Sequence, residues 1–215
     1  MADLHKQVFI RHYAGILQSD GGAQLFGRAL AFSDLPRRET RRLSVFEKSV
    51  IACILGLGND ASDAAIVMGS QYGTLATNTL DMLKGLLSDI PVSPTKFSLS
   101  VHNASVGLAT QLSGNRMGYT AVAAGAASLD AAITESLARL ADGAEKIVLS
   151  YSDSRLTHEY EPFNTLACDI HFACCLERGP SAEGVPLAQL ISNDGPIRGQ
   201  DFLDRVHLSL EGARA

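Results

Sequence analysis

The sequence predicts an α/β protein in which helices cover the faces of a central sheet. Helix and strand patterns alternate along most of the 215 residues, which favours packed layers of helix and sheet over an all-α or all-β structure. Hydrophobic residues make up 46% of the chain and charged residues only 19%, which is enough apolar material for a sizeable core. Because the length is typical of one domain, we interpret residues 1–215 as a single domain.

The first half of the chain alternates between strand and helix patterns. A strand over residues 4–16 is followed by the breaker Gly21-Gly22. A helix begins near Pro36, because proline is favoured in a first helical turn and apolar residues then recur at helical spacing as far as Ile54. The patterns then predict a buried strand at 64–68, an amphipathic helix at 75–87, an alternating, strand-like segment at 97–101 and a helix at 104–112.

The second half continues in the same way. Residues 128–141 place apolar side chains on one helical face and end before Gly143, a frequent stop signal. Residues 168–176 alternate between apolar and polar, which predicts a strand covered on one side. Further strands are predicted at 120–124, 147–151 and 185–191, whereas no element is assigned beyond Gly195.

Charge and hydropathy exclude several classes of function. The net charge is −5, and the basic residues are scattered except for Arg37, Arg38, Arg41 and Arg42, so we expect no nucleic-acid partner. No uncharged apolar stretch reaches 18 residues, and residues 1–10 lack the apolar region of a signal peptide. We therefore expect a cytoplasmic protein without a membrane span.

The cysteine pattern predicts neither a metal centre nor a cofactor. Cys53, Cys168, Cys174 and Cys175 form no C-x-x-C pair, and the surroundings of three of them are apolar. Cys174 and Cys175 would point to opposite faces of a strand, so they could not bind one ion together.

Two segments carry a resemblance to a known family. The sequence from Ser93 to Ser105, SPTKFSLSVHNAS, followed by residues 118–130, resembles the amino-terminal half of β-ketoacyl synthases, and most closely the group of chain-length factors. The resemblance extends over about residues 35–177. It implies a thiolase-like half fold with a mixed five-stranded sheet flanked by helices. Complete synthases contain this repeat twice, and only one repeat fits into the present length.

The resemblance also implies that the condensation chemistry is missing. Synthases place a cysteine where a strand turns into a helix, because the helix amino terminus lowers the thiol pKa. In this sequence the matching position falls on Ala127, and the family's active-site histidine motifs have no counterpart. We therefore expect no condensing activity from the chain alone, and leave open whether it is an enzyme of another kind.

Chain-length factors, which lack the cysteine and pair with an active synthase, suggest a partner or scaffold role in fatty-acid or polyketide chain assembly, aryl polyenes included. The expected partner is a ketosynthase-like protein or a second copy, with an acyl carrier protein as a further candidate. A lone repeat should leave its strand 120–124 and helix 128–141 uncovered, which predicts an interface of more than roughly 1,000 Å².

Several residues have alternative interpretations. Ser105 lies in a string close to a G-x-S-x-G elbow in strand-turn-helix context, so an acyl hydrolase or decarboxylase that uses Ser105 or His102 is an alternative. Asn103 could line a binding surface with His102, but is more typical of a helix cap, as is Ser128. Lys96 and Phe97 fall where synthases bound the acyl pocket at the dimer interface, so Lys96 either faces solvent or blocks a tunnel.

A module that binds an acyl group or a carrier protein is the remaining alternative for the function of this chain.

Two polar segments are assigned no role. The segment 69–74 is interpreted as a plain strand-to-helix turn, because it lacks the lysine of a phosphate loop. Asp153, His158, Glu159 and Glu161 are predicted to lie in a solvated loop.

Overall fold

A computed structural model describes residues 4–179, 184–191 and 195–212, and it contains one mixed sheet. The strands run in the order β2-β1-β6-β5-β3-β4, and β7 pairs with β1. Parallel pairing joins β3 to β4 and β5, whereas β1, β2, β5, β6 and β7 are linked by antiparallel pairs. The strands are β1 (Val8–Ser19), β2 (Gly22–Gly27), β3 (Ala65–Gly69), β4 (Tyr119–Val122), β5 (Lys146–Asp153), β6 (Asp169–Arg178) and β7 (Val185–Pro186).

The predicted α/β class and mixed sheet are confirmed, but the sheet has seven strands where five were predicted. The two additional strands, β2 and the two-residue β7, both pair with β1. Without them, the order β1-β6-β5-β3-β4 remains, which is a mixed sheet of five strands.

Helices cover both faces of the sheet. A hydrophobic core lies between the sheet and each helical layer. Helices α7 and α8 contribute to the core on one face, and α2 and α6 contribute to the core on the other. The helices are α1 (Arg37–Thr40), α2 (Val45–Gly56), α3 (Asn59–Asp63), α4 (Leu80–Leu87), α5 (Pro94–Leu99), α6 (Ala104–Ser113), α7 (Ser128–Ala141) and α8 (Gly199–Gly212).

A bulge in β1 changes which of its side chains point toward each of the two hydrophobic cores. The register against β6 shifts between Ile10 and Tyr13, so that one extra residue is inserted into β1. Ile10 and Tyr13 therefore face the α7 and α8 side together, while Ala14 and Ile16 face α2.

Three local predictions are wrong. Residues 97–101 are not strand-like, because Pro94 in the first turn and the Ser93 hydroxyl, which accepts from the Lys96 N–H at 3.5 Å, begin helix α5. Strand β6 is buried on both faces, not on one. The helix predicted from Pro36 is divided into α1 and α2, since the Glu47 carboxylate accepts from the Ser44 N–H at 2.6 Å and starts a new helix.

The carboxyl-terminal region also differs from the prediction. The strand predicted at 185–191 is limited to β7, and a short 3₁₀ turn, Leu187–Gln189, follows it. Helix α8 forms beyond Gly195, where no element was assigned. None of the helices in the described ranges combines the length and apolar character that a membrane-spanning helix requires.

Candidate functional site

The turn between β4 and α7 contains Ala127, at the position where the resemblance places a nucleophilic cysteine. Gly125 has a φ of 57°, a left-handed conformation that glycine adopts readily, and the Ala127 N–H donates to the Ala124 carbonyl at 3.1 Å. Ala127 is half-buried and directly precedes the 14-residue helix α7. A thiol here would lie where the helix dipole favours a thiolate, but the alanine methyl group cannot take part in acyl transfer.

The hydroxyl of Ser128 stabilises this turn and does not cap α7 as predicted. Its Oγ donates to the Gly125 carbonyl at 2.7 Å and accepts from the Ala124 N–H at 3.0 Å. The residue is fully buried. Because both hydrogen bonds lie within the turn, the hydroxyl is not available as a substitute nucleophile.

The buried carboxylate of Asp153 accepts hydrogen bonds from the segment 69–74, which begins at the last residue of β3. Asp153 accepts from the Ser70 hydroxyl at 2.9 Å, from the Gln71 N–H at 2.9 Å and from the Tyr72 N–H at 2.8 Å. Burial raises the pKa of Asp153 above its ordinary value, although these hydrogen bonds act in the opposite direction. The prediction that Asp153 lies in a solvated loop is therefore wrong, since it ends β5 and is 0% exposed.

The rest of that predicted loop lies at the surface, in the 3₁₀ segment His158–Phe163. His158, Glu159 and Glu161 are exposed. Glu159 forms an ion pair with Lys84, whose hydrogen bond lowers the pKa of Glu159 to about 2. These residues do not converge with Asp153 on a site.

A different group has ligand atoms close enough for a cation. The side chains of Asp60, Cys175 and Glu177 approach within 4.8 Å of one another. Asp60 already binds Lys146 at 2.8 Å, and Arg11 binds Glu177 at 3.0 Å, while burial raises the pKa of the Cys175 thiol. Because cationic side chains already balance these carboxylates, the group gives no support for a metal centre.

His102 and Ser105 do not form a nucleophile–base pair. Ser105 is 1% exposed, and its Oγ has no hydrogen-bond partner among the described residues. His102 packs under Gly73, where an added Cβ would come within 2.8 Å of the imidazole Nδ1. The segment before Ser105 is helix α5, so the predicted strand-turn-helix context of a nucleophile elbow is wrong.

Asn103 holds β4 and does not cap α6 through its side chain. It occupies the cap position, but its amide donates to the Tyr119 hydroxyl at 3.4 Å, and only its carbonyl accepts from the Gly107 N–H. This contact connects the start of α6 to the strand at the end of the sheet. Asn103 is exposed, so it can also contact a bound partner.

Lys96 and Phe97 lie on the exposed side of α5. The Lys96 ammonium binds Asp81 of α4 at 2.7 Å and is oriented toward solvent, so it does not enter a tunnel within this chain. The Phe97 side chain is unusually accessible for a large apolar residue, at 59% exposure.

Phe97 belongs to a larger exposed surface, which we call the α4–α5 apolar surface. The Lys96–Asp81 ion pair joins α5 to α4, and the Asn103–Tyr119 hydrogen bond extends the surface to β4. Leu87 is 87% exposed, a large departure from the usual position of leucine. The name covers the exposed large apolar residues of the segment 83–119, which are Leu83, Leu86, Leu87, Ile90, Phe97, Val101, Met117 and Tyr119.

The predicted uncovered layer at 120–124 and 128–141 is only partly exposed: Ala123 and Ala124 are exposed and residues 120–122 are half-buried, whereas only three residues of α7 are exposed. Helix α8 packs on the same side of the sheet as α7, and its Phe202, Leu203 and Val206 are buried there. The outer side of α7 carries the ion pair between Glu135 and Arg139. The sequence did not indicate α8, because no element is predicted beyond Gly195. It did not indicate the α4–α5 apolar surface, because apolar residues at helical spacing normally predict burial.

The sequence matches a known protein family, and the fold matches solved structures. The family model described as the β-ketoacyl synthase N-terminal domain matches residues 21–194, which include the segment 35–177. Among curated proteins, the sequence comparison gave no significant match.

Solved structures with a similar fold include synthases and chain length factors. A chain of the complex of a ketosynthase (ApeO) with its chain length factor (ApeC) from Xenorhabdus doucetiae aligns with a TM-score of 0.71 and 24% identity, covering 81% of this chain and 80% of that one. The ishigamide ketosynthase/chain length factor aligns with a TM-score of 0.61 and 14% identity, over 84% of this chain. A β-ketoacyl synthase from Burkholderia phymatum aligns with a TM-score of 0.57 and 14% identity, over 80% of this chain. The alignments cover only 64% and 59% of these last two chains.

Proposed function

The chain belongs to the family of β-ketoacyl synthase N-terminal domains, and we propose that it acts as a non-catalytic, ketosynthase-like partner in acyl-chain assembly. In this proposal residues 1–215 work as a single repeat beside an active synthase. The products are fatty-acid or polyketide chains, with aryl polyenes as one class.

The observation that carries this proposal is the alanine at the turn before α7. The turn keeps the geometry that would activate a thiol, with a half-buried residue 127 at the start of a long helix. At this turn, the side chain that would react is an alanine methyl group. A retained turn without a nucleophile is the arrangement expected of a subunit that supports a synthase and does not react itself.

The α4–α5 apolar surface supports an assembly role. Exposed apolar patches on a protein surface usually mark a contact site. The surface borders β4, which pairs only with β3 among the described strands and so leaves one edge of the sheet open. A partner strand could pair with this edge while partner side chains cover Leu87 and Phe97.

The nature of the partner follows from the relatives. Similar solved chains occur in a ketosynthase complex with its chain length factor, and in a ketosynthase complex with an acyl carrier protein. We propose the synthase as the direct partner. The net charge of −5 disfavours broad attraction to an acidic carrier, although Arg37 and Arg38 could form a local contact.

Co-purification from the native host tests the proposal. We expect a synthase-like protein to copurify with the tagged chain, and we expect the chain alone to form no carbon–carbon bond from an acyl thioester and a malonyl carrier. Phe97→Asp should abolish co-purification, because burying an unpaired carboxylate in an interface is costly. Leu208→Asp is the matched control, since Leu208 is 71% exposed on α8, away from the α4–α5 apolar surface.

Two results would contradict the proposal. Condensation by the purified chain, after contaminating synthase has been excluded, would show that Ala127 is not at the reacting position. Sedimentation as a single species near the chain mass of 22.8 kDa, with no partner recovered from the host, would remove the assembly role.

A further inference from the structure

Strand β2 forms the edge of the sheet that lies farthest from β4. Among the strands that the structure describes, it pairs only with β1, from Gly22 opposite Ser19 to Gly27 opposite Ala14. All of its six residues except Phe26 are exposed. The outer edge of β2 therefore presents backbone N–H and C=O groups that no described strand pairs with.

The pairing with β1 identifies which backbone groups point outward. A two-residue turn, residues 20–21, joins β1 to β2, and such a turn is flanked by a hydrogen-bonded pair. Pairs with and without hydrogen bonds then alternate along the ladder. The Arg28 N–H, just beyond β2, donates to the Tyr13 carbonyl at 2.9 Å and fits this alternation. The N–H and C=O groups of Ala23 and Leu25 therefore point away from β1.

This edge lacks the features by which most proteins prevent the addition of a strand. Natural edge strands carry lysine, proline or a bulge. Strand β2 contains no charged residue and no proline, and its register against β1 has no shift. Leu25 is 44% exposed, which adds an accessible apolar side chain. These properties favour pairing with another uncharged strand.

We propose that β2 pairs with β2 of a second copy of this chain, antiparallel about a two-fold axis. Outward-pointing residues pair with each other, so Ala23 of each copy lies opposite Leu25 of the other, and Gln24 lies opposite itself on the axis. A register centred on Leu25 would need Gly27 in the ladder, but Gly27 has a φ of 58° and turns the chain away.

The charges beside β2 fit this register. Asp20 of each copy falls opposite Arg28 of the other, at both ends of the paired strands. Arg28 is exposed and forms no ion pair with any residue that the structure describes. Asp20 binds Arg155 of its own copy at 2.8 Å but is 92% exposed, so its carboxylate stays accessible. Opposite charges at these positions reduce the repulsion between two chains of net charge −5.

The two edges of the sheet can be occupied at the same time. Because β2 and β4 lie at opposite ends of the strand order, a copy paired at β2 leaves the α4–α5 apolar surface open to a synthase. The contact involves one short strand from each copy, so we expect a weak dimer that forms at high micromolar concentration.

Sedimentation equilibrium of the purified chain, at about 5 to 500 µM, measures the dimer. Gln24→Lys should raise its dissociation constant at least about tenfold, because two ammonium groups then face each other on the axis. Leu208→Lys is the matched control and should leave the constant unchanged, since Leu208 is 71% exposed on α8. Gln24 is exposed, so its replacement should not impair folding.

A charge exchange tests the register. Asp20→Arg and Arg28→Asp should each weaken the dimer, because each places like charges opposite one another, and the double variant should restore the dissociation constant to within about threefold. In a Cys168→Ser background, Gln24→Cys should form a disulfide-linked dimer faster than Leu208→Cys, because residue 24 faces its own copy at a separation that a disulfide spans.

The proposal is overturned if the chain sediments as a monomer at every concentration, or if Gln24→Lys and Leu208→Lys behave alike. It is also overturned if the double charge exchange does not restore the dimer, or if Gln24→Cys is linked no faster than Leu208→Cys. A dimer that Phe97→Asp abolishes and Gln24→Lys does not would place the second copy on the α4–α5 apolar surface instead. These measurements use the chain alone, so failure here leaves the proposed partnership with a synthase untouched.

Discussion

Replacing Asp153 tests whether one buried carboxylate holds the segment 69–74. In Asp153→Ala the Ser70 hydroxyl and the backbone N–H groups of Gln71 and Tyr72 lose their acceptor, and a side-chain hydrogen bond from Tyr151 is lost as well. Each buried donor left without a partner costs about 1–3 kcal/mol, and part of this is recovered when Asp153 no longer has to be desolvated. We expect a net loss of about 3–5 kcal/mol from the free energy of unfolding.

Urea denaturation of the wild type and the variant measures this loss. Asp142→Ala is a suitable control, because Asp142 is exposed after α7 and should change stability by less than about 0.5 kcal/mol. A loss below about 1 kcal/mol in Asp153→Ala would refute the argument, since it would mean that water or other groups satisfy these donors equally well.

The pH dependence of stability provides a second readout of the same carboxylate. The pKa of folded Asp153 is raised by burial above the value of about 3.9 expected in the unfolded chain. As pH rises from the unfolded pKa to the folded pKa, the unfolded state loses the proton first, and the stability contributed by this group falls. Relative to Asp153→Asn, the wild type should therefore be more stable near pH 4 than near pH 7. A relative stability that rises over this interval would mean that the hydrogen bonds outweigh burial.

Two further predictions follow from the turn and from the glycines. Ala127→Cys should alkylate at least about fivefold faster at pH 7 than Ala138→Cys in the last turn of α7, because only residue 127 precedes the helix; equal rates would mean that the turn is misaligned. Gly56→Ala should lose about 1–3 kcal/mol in urea denaturation, since an added Cβ would lie 2.1 Å from the Arg28 carbonyl oxygen. Gly85→Ala, whose Cβ would have no contact closer than 3.8 Å, should instead gain up to about 1 kcal/mol, and a loss there would contradict the reasoning from contacts.

Local sequence patterns determined the α/β class and most of the elements. Helix α7 and strands β3, β5 and β6 fall close to their predicted ranges. In each of them, apolar residues that must be buried recur at the spacing typical of that helix or strand. The resemblance located the turn at Ala127 for a similar reason. Gly125 adopts a left-handed conformation between a strand and a helix. A glycine at such a position marks a turn in the sequence, whichever residue follows it.

Tertiary structure decided the features that depend on distant partners. Asp153 and Ser70 are 83 positions apart, and nothing local to either distinguishes a buried carboxylate from a solvated one. The apolar face of α4 predicts burial by its spacing, but no other described element covers Leu87. Segment 97–101 is too short for its alternation to exclude a helix, and the cap at Ser93 decided it. The sequence alone therefore predicted the α/β class and most of the strands and helices. Packing between distant segments decided which surfaces and cavities remain open, because burial depends on which elements are brought together.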